Sequence, residues 1–310
     1  MEQSFLAWLR GRVRSLPGVA VGIGDDAAVL DIPAGHQLIA TTDAIIDGVD
    51  FLTHEHSLAD IGYKSIAVNL SDIAAMGATP TAALVTLSLP SHDATRTAAG
   101  LYEGILECAM QYKIAIAGGD ISVYEGPLSI SVTLLGTVLT GQAWLRNGAK
   151  EGDAIVLTGP VGGSLLGRHL RPTPRIELAQ QLSRLTTVHA AMDISDGLSL
   201  DLDRLCAASG VGAELDMSAI PIHPDAETRS ESGGGTTALS HALGDGEDFE
   251  LILAIDSTEC NDLLSSKPEL GLHRIGTFVG RTGLWSKSGA DFKRLSPSGF
   301  IHGQTRLTSK

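Results

Sequence analysis

Four short, β-branched apolar runs, each bounded by Gly, Asp or Pro, constrain the first half of this chain more than any other feature. They are HQLIATTDAII (36–46), TAALVTLSL (81–89), KIAIAGGD (113–120) and LSISVTLLGTV (128–138). Runs of this kind form strands, and helix-like stretches lie between them. One such stretch, Ser57–Met76, carries Ile61, Val68, Ile73 and Met76 at helical spacing and ends at Gly77 with Pro80 beyond; another spans Ala94–Tyr112. The turn-rich RNGAKEGD (146–153) then precedes a fresh strand, AIVLTG. The second half again alternates strands (GAELDMSAI, FELILAI, RIGTFVG) with helical segments. The expected fold class is α+β. Two α/β domains divide near residues 140–150: an N-terminal domain, 1–143, with a mixed sheet and helices, and a C-terminal α+β domain, 144–310. With 310 residues, 43% of them hydrophobic, the chain can bury two cores. The Ser/Gly/Thr-rich segment 227–237 reads as a surface loop.

Bulk charge narrows the partners. A formal net charge of −14 argues against nucleic acid, whose binding depends on clustered Lys and Arg that release counterions. An anionic ligand would need metal ions as go-betweens. Cys108, Cys206 and Cys260 are far apart and offer no CxxC or zinc spacing, so a reduced, cytoplasmic compartment is expected. The stretch MEQSFLAWLRGRVR has no signal-peptide apolar core, and the longest uncharged run, Ile73–His92, is broken by Gly77, Pro80 and Pro90, so no membrane span is expected.

Aspartates gather at the ends of the apolar runs. GIGDDAAVL (22–30), ATTDAIIDGVDF (40–51), NLSDIAAMG (69–77), AGGDIS (117–122) and MDISDGL (192–198) place acids beside Gly, Ser or Thr with no Lys or Arg within the motif. Unpaired carboxylates raise one another's pKa, and a divalent cation relieves that repulsion. Mg²⁺ takes one or two carboxylates together with waters and phosphate oxygens. Asp and Ser beside Gly also cap helices and make turns, so any single cluster has a plain structural reading. Asp196 can cap a helix beginning at Leu198, and Gly118 and Gly119 can form a strand-end turn or let backbone approach an anionic ligand. Asp72 is different. It lies inside a helical pattern, where Asp is roughly 0.7 kcal/mol worse than Ala. Ser65, Asn69 and Asp72 share one helical face, which predicts a polar stripe turned away from the core.

Sharper motifs fail. GIGDDA has the letters of a dinucleotide-binding turn, but two aspartates would face the pyrophosphate and Asp31-Ile32-Pro33 follows where a helix is required. There is no GxxxxGK[ST] loop and no HRD or DFG set. His54 and His56 have nothing nearby to complete a zinc set. The glycines of TGPVGGSLLG (158–167) either bring helix amides to a phosphate or turn the chain.

Taken in order, GIGDDAA, TTD, NLSDIAAMGA, GGD, SDGL and GEDFEL resemble the thiamine-monophosphate kinase family over nearly the whole chain. That family is related to aminoimidazole ribotide synthetase, selenophosphate synthetase and a hydrogenase maturation factor, which implies an aminoimidazole ribotide synthetase-like fold. The resemblance implies magnesium ions held by Asp26, Thr41, Thr42, Asp43, Asp72, Asp120, Asp193 and Asp196, and ATP touched by Tyr102, Gly119, Asp120, Arg146 and Ser195. It places Asp50, Glu247 and Phe300 near the thiamine moiety; Asp50 stands where some members carry His, and GDGEDFE replaces a more usual GGGEDYE. It further implies a homodimer through the N-terminal domains and direct transfer from ATP to thiamine monophosphate. Related functions, or a non-catalytic nucleotide- or metal-binding role, are the alternatives. The first cysteine, Cys108, lies too far along the chain for selenophosphate synthetase, whose reactive residue is near the N-terminus.

Overall fold

In the computed structural model, which describes residues 2–13, 16–23, 26–232, 235–288 and 291–301, the chain divides into two units. The first comprises residues 1–143 and 170–181, the second residues 144–169 and 182–310.

The first unit contains, in order, α1 (Glu2–Arg10), β1 (Val19–Val21), β2 (Val29–Leu30), β3 (His36–Ile46), α2 (Leu58–Ala75), β4 (Thr79–Pro90), α3 (Ala94–Gln111), β5 (Ala115–Tyr124) and β6 (Ser129–Leu139). Alternation decides its architecture. Along β6, Ile130, Val132, Leu134 and Val138 are buried while Ser131, Thr133 and Leu135 face the other way. The buried face meets α2 and α3, and the strands join in the order β3-β6-β4-β5, with β4 and β5 parallel and the other pairs antiparallel. Ser57 starts α2 by accepting the Asp60 amide on its hydroxyl, and Gly77, at φ 65°, follows its end. The two helices touch backbone to backbone. A Cβ on Gly104 would lie 1.7 Å from the Ala59 carbonyl oxygen, and one on Gly62 would lie 2.0 Å from that of Leu101, so side chains at these positions would force the helices apart.

This close cover changes the polar stripe expected on α2. Ser65 and Asn69 are buried: the Ser65 hydroxyl donates to the Gly62 carbonyl at 2.7 Å and Asn69 Nδ2 to the Ser65 carbonyl at 3.1 Å. Both side chains turn back on their own helix. Asp72, one turn further, is the member of the stripe that emerges.

Residues 170–181 pack with the first unit through Arg171. Its guanidinium lies 4.8 Å from the Tyr63 ring and makes two hydrogen bonds of 2.8 Å to Glu107 and another to Asp60.

The second unit contains β7 (Ala154–Leu157), part of α4 (Ile176–Leu185), β8 (Val188–Asp193), α5 (Leu198–Ser209), β9 (Gly212–Asp216), α6 (Pro224–Glu231), α7 (Ala238–Gly244), β10 (Leu251–Ile255), α8 (Ser257–Ser266), β11 (His273–Val279), β12 (Gly283–Ser288) and β13 (Asp291–Leu295). Its seven strands run β13-β12-β9-β11-β7-β10-β8. The β9–β12 pair is parallel and the rest antiparallel. The central strands β7 and β10 are buried along their whole length, which is why they read as unbroken apolar runs without alternation. Part of the loop expected at 227–237 is instead the end of α6. Pro224 opens that helix, His223 accepts the Asp225 amide, and Ala226 is buried.

Candidate active site

Period-two alternation on β3 puts Thr41 and Asp43 on the face covered by α2, beside buried Ile45, and turns Thr42 to the opposite face. Asp72 occupies the last turn of α2, next to the negative end of the helix dipole, so its own helix does nothing to favour its charge. It does not cap the helix. Its Oδ2 accepts the Thr41 hydroxyl at 2.6 Å. Burial, then the negative charges of Asp72 and Asp50, push the Asp43 carboxyl up to about 6. Asp50 also holds its own turn, accepting the Ile46 amide on Oδ2 at 2.8 Å. Beneath that turn Lys64, fully buried, donates to the Asp50 carbonyl at 2.7 Å. Sequence reasoning missed Lys64, although a lysine inside the apolar run IGYKSIAV was a visible signal.

A second cluster surrounds a cavity of about 780 Å³ in the first unit. Asp26, Tyr102, Gly119 and Asp120 line it, with Leu6, Leu9, Leu30, Leu84 and Ala117 supplying apolar wall. This volume suits a cofactor-sized molecule. Tyr102 is buried against Phe5 in an edge-on contact at 5.4 Å, and that burial raises its phenol pKa. Arg10, at the end of α1, is the one cation among the described lining residues, and sequence reasoning did not single it out. Gly119 and Asp120 lie within β5, so the pair of glycines makes no strand-end turn. Gly119 has φ 151°, and a Cβ there would sit 1.8 Å from the Val85 carbonyl oxygen.

The sheet separates these clusters. Asp43 and Gly119 share the row Asp43–Val132–Val85–Gly119, whereas Asp120 belongs to the next row with Thr86, Ser131 and Ala44 and faces the opposite side. β3 and β5 are the two edges, roughly 14 Å apart at about 4.8 Å per strand spacing. Asp43 and Asp120 therefore serve different positions within one chain.

In the second unit the structure brings together residues far apart in sequence. The Glu247 amide donates to the Ser195 carbonyl at 2.7 Å, and the Phe300 amide to that of Asp196 at 2.9 Å. The pairing continues through Phe249 to Ile194 (2.9 Å) and from Ile194 to Glu250 (2.8 Å). Glu247 and Phe249, both at φ 52°, hold left-handed backbone that only such cross-bonding sustains. Asp193 ends β8 and is buried. The alternative reading of Asp196 as a helix cap does not hold: Gly197 takes that position, and the Asp196 side chain pairs with Arg204. Arg146 is exposed.

Two other sequence features resolve as structure. The amides of Gly162 and Gly163 donate to Asp248 (2.8 Å) and Asp245 (3.0 Å), and a 3-10 turn follows them, so no helix start is left open to a phosphate. Burial raises the Asp248 carboxyl to about 7, against the pull of the Gly162 amide and Arg168. His54 pairs with Glu55, and His56 Nδ1 accepts the Leu52 amide, so the HxH pair is a turn.

Among the described residues no three Asp, Glu, His or Cys side chains converge as a closed metal cage. The donors present are oxygens only: Asp carboxylates and Thr hydroxyls. Asp43, pressed by Asp72 and Asp50, shows the crowding of negative charge that a hard divalent cation relieves. The donor set therefore fits Mg²⁺ completed by water and phosphate oxygens, and does not fit a soft metal.

Two family models match the chain: the N-terminal domain of AIR synthase related protein over residues 24–138 and its C-terminal domain over residues 150–284. The thiamine-monophosphate kinase of Rhodopirellula baltica is 58% identical, covering 100% of this chain and 99% of its own. That of Salmonella typhimurium is 37% identical over 91% of this chain and 87% of its own. The crystal structure of thiamine-monophosphate kinase from Stenotrophomonas maltophilia K279a superposes with a TM-score of 0.79 at 35% identity, covering 92% of this chain and 96% of that one. A solved complex described as AaThiL with AMPPCP and TMP gives a TM-score of 0.77 at 29% identity, covering 97% and 95%. Escherichia coli HypE, a hydrogenase maturation protein, shares the fold at a TM-score of 0.77 and 22% identity, covering 96% and 98%.

Proposed function

The chain belongs to the thiamine-monophosphate kinase family, and from that premise we infer how its residues divide the work of moving the γ-phosphoryl group of ATP onto thiamine monophosphate. The products are thiamine diphosphate and ADP. The observation that carries the activity is 58% identity to a thiamine-monophosphate kinase across the full chain; the ThiL complex with AMPPCP and TMP supports the two substrates.

The acceptor prepares itself. A phosphate monoester has a second pKa of about 6, so at neutral pH its oxygen is already an anion and needs no strong general base. Direct in-line transfer then requires no covalent enzyme intermediate and no catalytic acid or base from the protein. The obstacle is repulsion between two anionic substrates on a chain of net charge −14. Magnesium supplies the positive charge when bound. Asp26, Thr41, Thr42, Asp43, Asp72, Asp120, Asp193 and Asp196 offer oxygens to several ions. In residues 1–143, Tyr102, Gly119 and Asp120 line the cavity assigned to ATP. In residues 144–310, Ser195 and Arg146 are read as ATP residues, and Glu247 and Phe300, tied to the Ser195–Asp196 turn, as thiamine-moiety residues; in residues 1–143, Asp50 is read as a thiamine-moiety residue. The three buried free thiols suit a reducing cytoplasm, and no described helix is long and apolar enough to cross a membrane.

The assembly proposed is a homodimer through the part of the first unit's sheet face that is left exposed along β3. Leu38, Ala40, Thr42, Ala44 and Ile46 are exposed in a row along β3, with Leu38 at 46% and Ile46 at 36%, and such a face favours a partner. Light scattering during size exclusion is expected to give about twice the 32.3 kDa chain mass; a monomer mass at micromolar concentration excludes this assembly.

Enzyme-coupled ADP release tests the reaction. Release is expected only when ATP, thiamine monophosphate and Mg²⁺ are all present, and a chelator should stop it. ADP release driven instead by formylglycinamidine ribotide would move the chain to the related synthetase activity. Turnover undiminished by the chelator would remove the ions from the mechanism.

A further inference from the structure

The turn that carries Ser195 and Asp196 is held in an unusual way. At the start of α5 no side chain takes the cap position, since Gly197 stands there at φ 131°. One oxygen does the work from inside the helix: Asp201 Oδ2 accepts the amides of Ser195 (3.1 Å), Asp196 (2.9 Å) and Gly197 (3.0 Å). The Asp201 side chain is completely buried. These three amides are thereby consumed, and the carbonyls of Ser195 and Asp196 accept the Glu247 and Phe300 amides, so what this turn offers a ligand is the side-chain oxygens of Ser195 and Asp196.

Arg204 completes the arrangement. Three residues beyond Asp201 on α5, its Nη1 donates to Asp201 Oδ1 at 2.8 Å and to Asp196 Oδ2. A cationic side chain thus sits on Asp196. The Arg204 side chain is 41% exposed, so water can solvate the guanidinium when it leaves Asp196, while its contact to the completely buried Asp201 carboxylate keeps it nearby. We propose that Arg204 is a built-in counter-ion that exchanges with a divalent cation at Asp196, with Asp201 as the residue that positions both. This rests on the reading of Asp196 as a cation ligand. Arg204 offsets part of the charge of the two neighbouring carboxylates and yields Asp196 to an arriving ion. Its competition sets the ion concentration at which this position fills.

Direct Mn²⁺ titration of the intact protein without nucleotide, followed by the electron paramagnetic resonance signal of free Mn²⁺, tests the exchange. Arg204→Met removes the competing charge and is expected to bind one class of Mn²⁺ about 10-fold more tightly, the size of effect seen when groups behind metal ligands change. Arg204→Lys keeps the charge and is expected to stay within about 2-fold of wild type. A role confined to folding would leave Arg204→Met unchanged or weaker, and either result overturns the proposal. Asp196→Asn separates the two levels of the inference. Loss of one Mn²⁺ class in Asp196→Asn without tightening in Arg204→Met rejects the exchange alone, whereas no loss in Asp196→Asn rejects the ligand reading together with it.

Discussion

Asp72→Asn is expected to lower turnover by about 10³-fold while the protein unfolds at the wild-type temperature to within about 2 °C. The fold should survive because Asn keeps an oxygen to accept the Thr41 hydroxyl, now 2.6 Å from Asp72 Oδ2, and because Asp72 is not a helix cap. Removing a carboxylate that presses on Asp43 also relieves repulsion. The chemistry should not survive. On the proposed mechanism a cation held at this position would offset phosphate charge worth several kcal/mol, and each 1.36 kcal/mol lost from transition-state binding is about tenfold in rate. Steady-state kinetics at saturating ATP and Mg²⁺ reads the loss. Wild-type rates in Asp72→Asn would exclude Asp72 as a cation ligand.

Gly119→Ala should be nearly as damaging by a different route. The added Cβ would lie 1.8 Å from the Val85 carbonyl oxygen, and φ 151° is already costly for a residue with a side chain. Since Val85 lies on β4, the strand β5 must move away, taking Asp120 and the cavity wall with it. Affinity for a non-hydrolysable ATP analogue is expected to fall at least about 100-fold, with a stability loss of about 3 kcal/mol from overpacking. Calorimetric titration measures the first and urea unfolding the second. Analogue binding at wild-type strength would detach Gly119 and this cavity from ATP.

Much of this architecture was legible in local pattern. β3 occupies residues 36–46, the bounds of the run HQLIATTDAII, because apolar spacing and turn residues are local signals. Ser57 and Gly77 marked the ends of α2 for the same reason. The division of Thr41 and Asp43 onto one face of β3 and Thr42 onto the other came from the structure. The relation of Asp43 to Asp120 was not legible, since it depends on strand order, which is a tertiary outcome. Likewise β12 and β13 gave no clear strand signal, because charged and small residues interrupt their apolar positions. Ser65 and Asn69 looked like a polar stripe turned from the core, yet a helix covered nearly all round buries them, and the Ser65 hydroxyl and Asn69 Nδ2 donate back to their own helix.

The site showed the same division. Aspartate clusters without cations raised the expectation of metal chemistry, but the backbone bonds that join Ser195 and Asp196 to Glu247 and Phe300 leave no trace in local sequence. The supporting residues were hidden for a related reason. Lys64 and Asp201 are completely buried and hold backbone groups; the apolar run around Lys64 marks it as unusual, but which carbonyl or amides each one holds depends on the folded turn.

The central claim is direct transfer between two phosphates, with the protein's carboxylates placing cations and forming no covalent intermediate. Incubation with ATP labelled at the γ-phosphate, thiamine monophosphate and Mg²⁺ tests it most directly. The label is expected in the terminal phosphate of thiamine diphosphate, with none retained on the protein after rapid acid quenching. A labelled protein that passes its phosphate to thiamine monophosphate, or the absence of labelled thiamine diphosphate at saturating substrates, would contradict it.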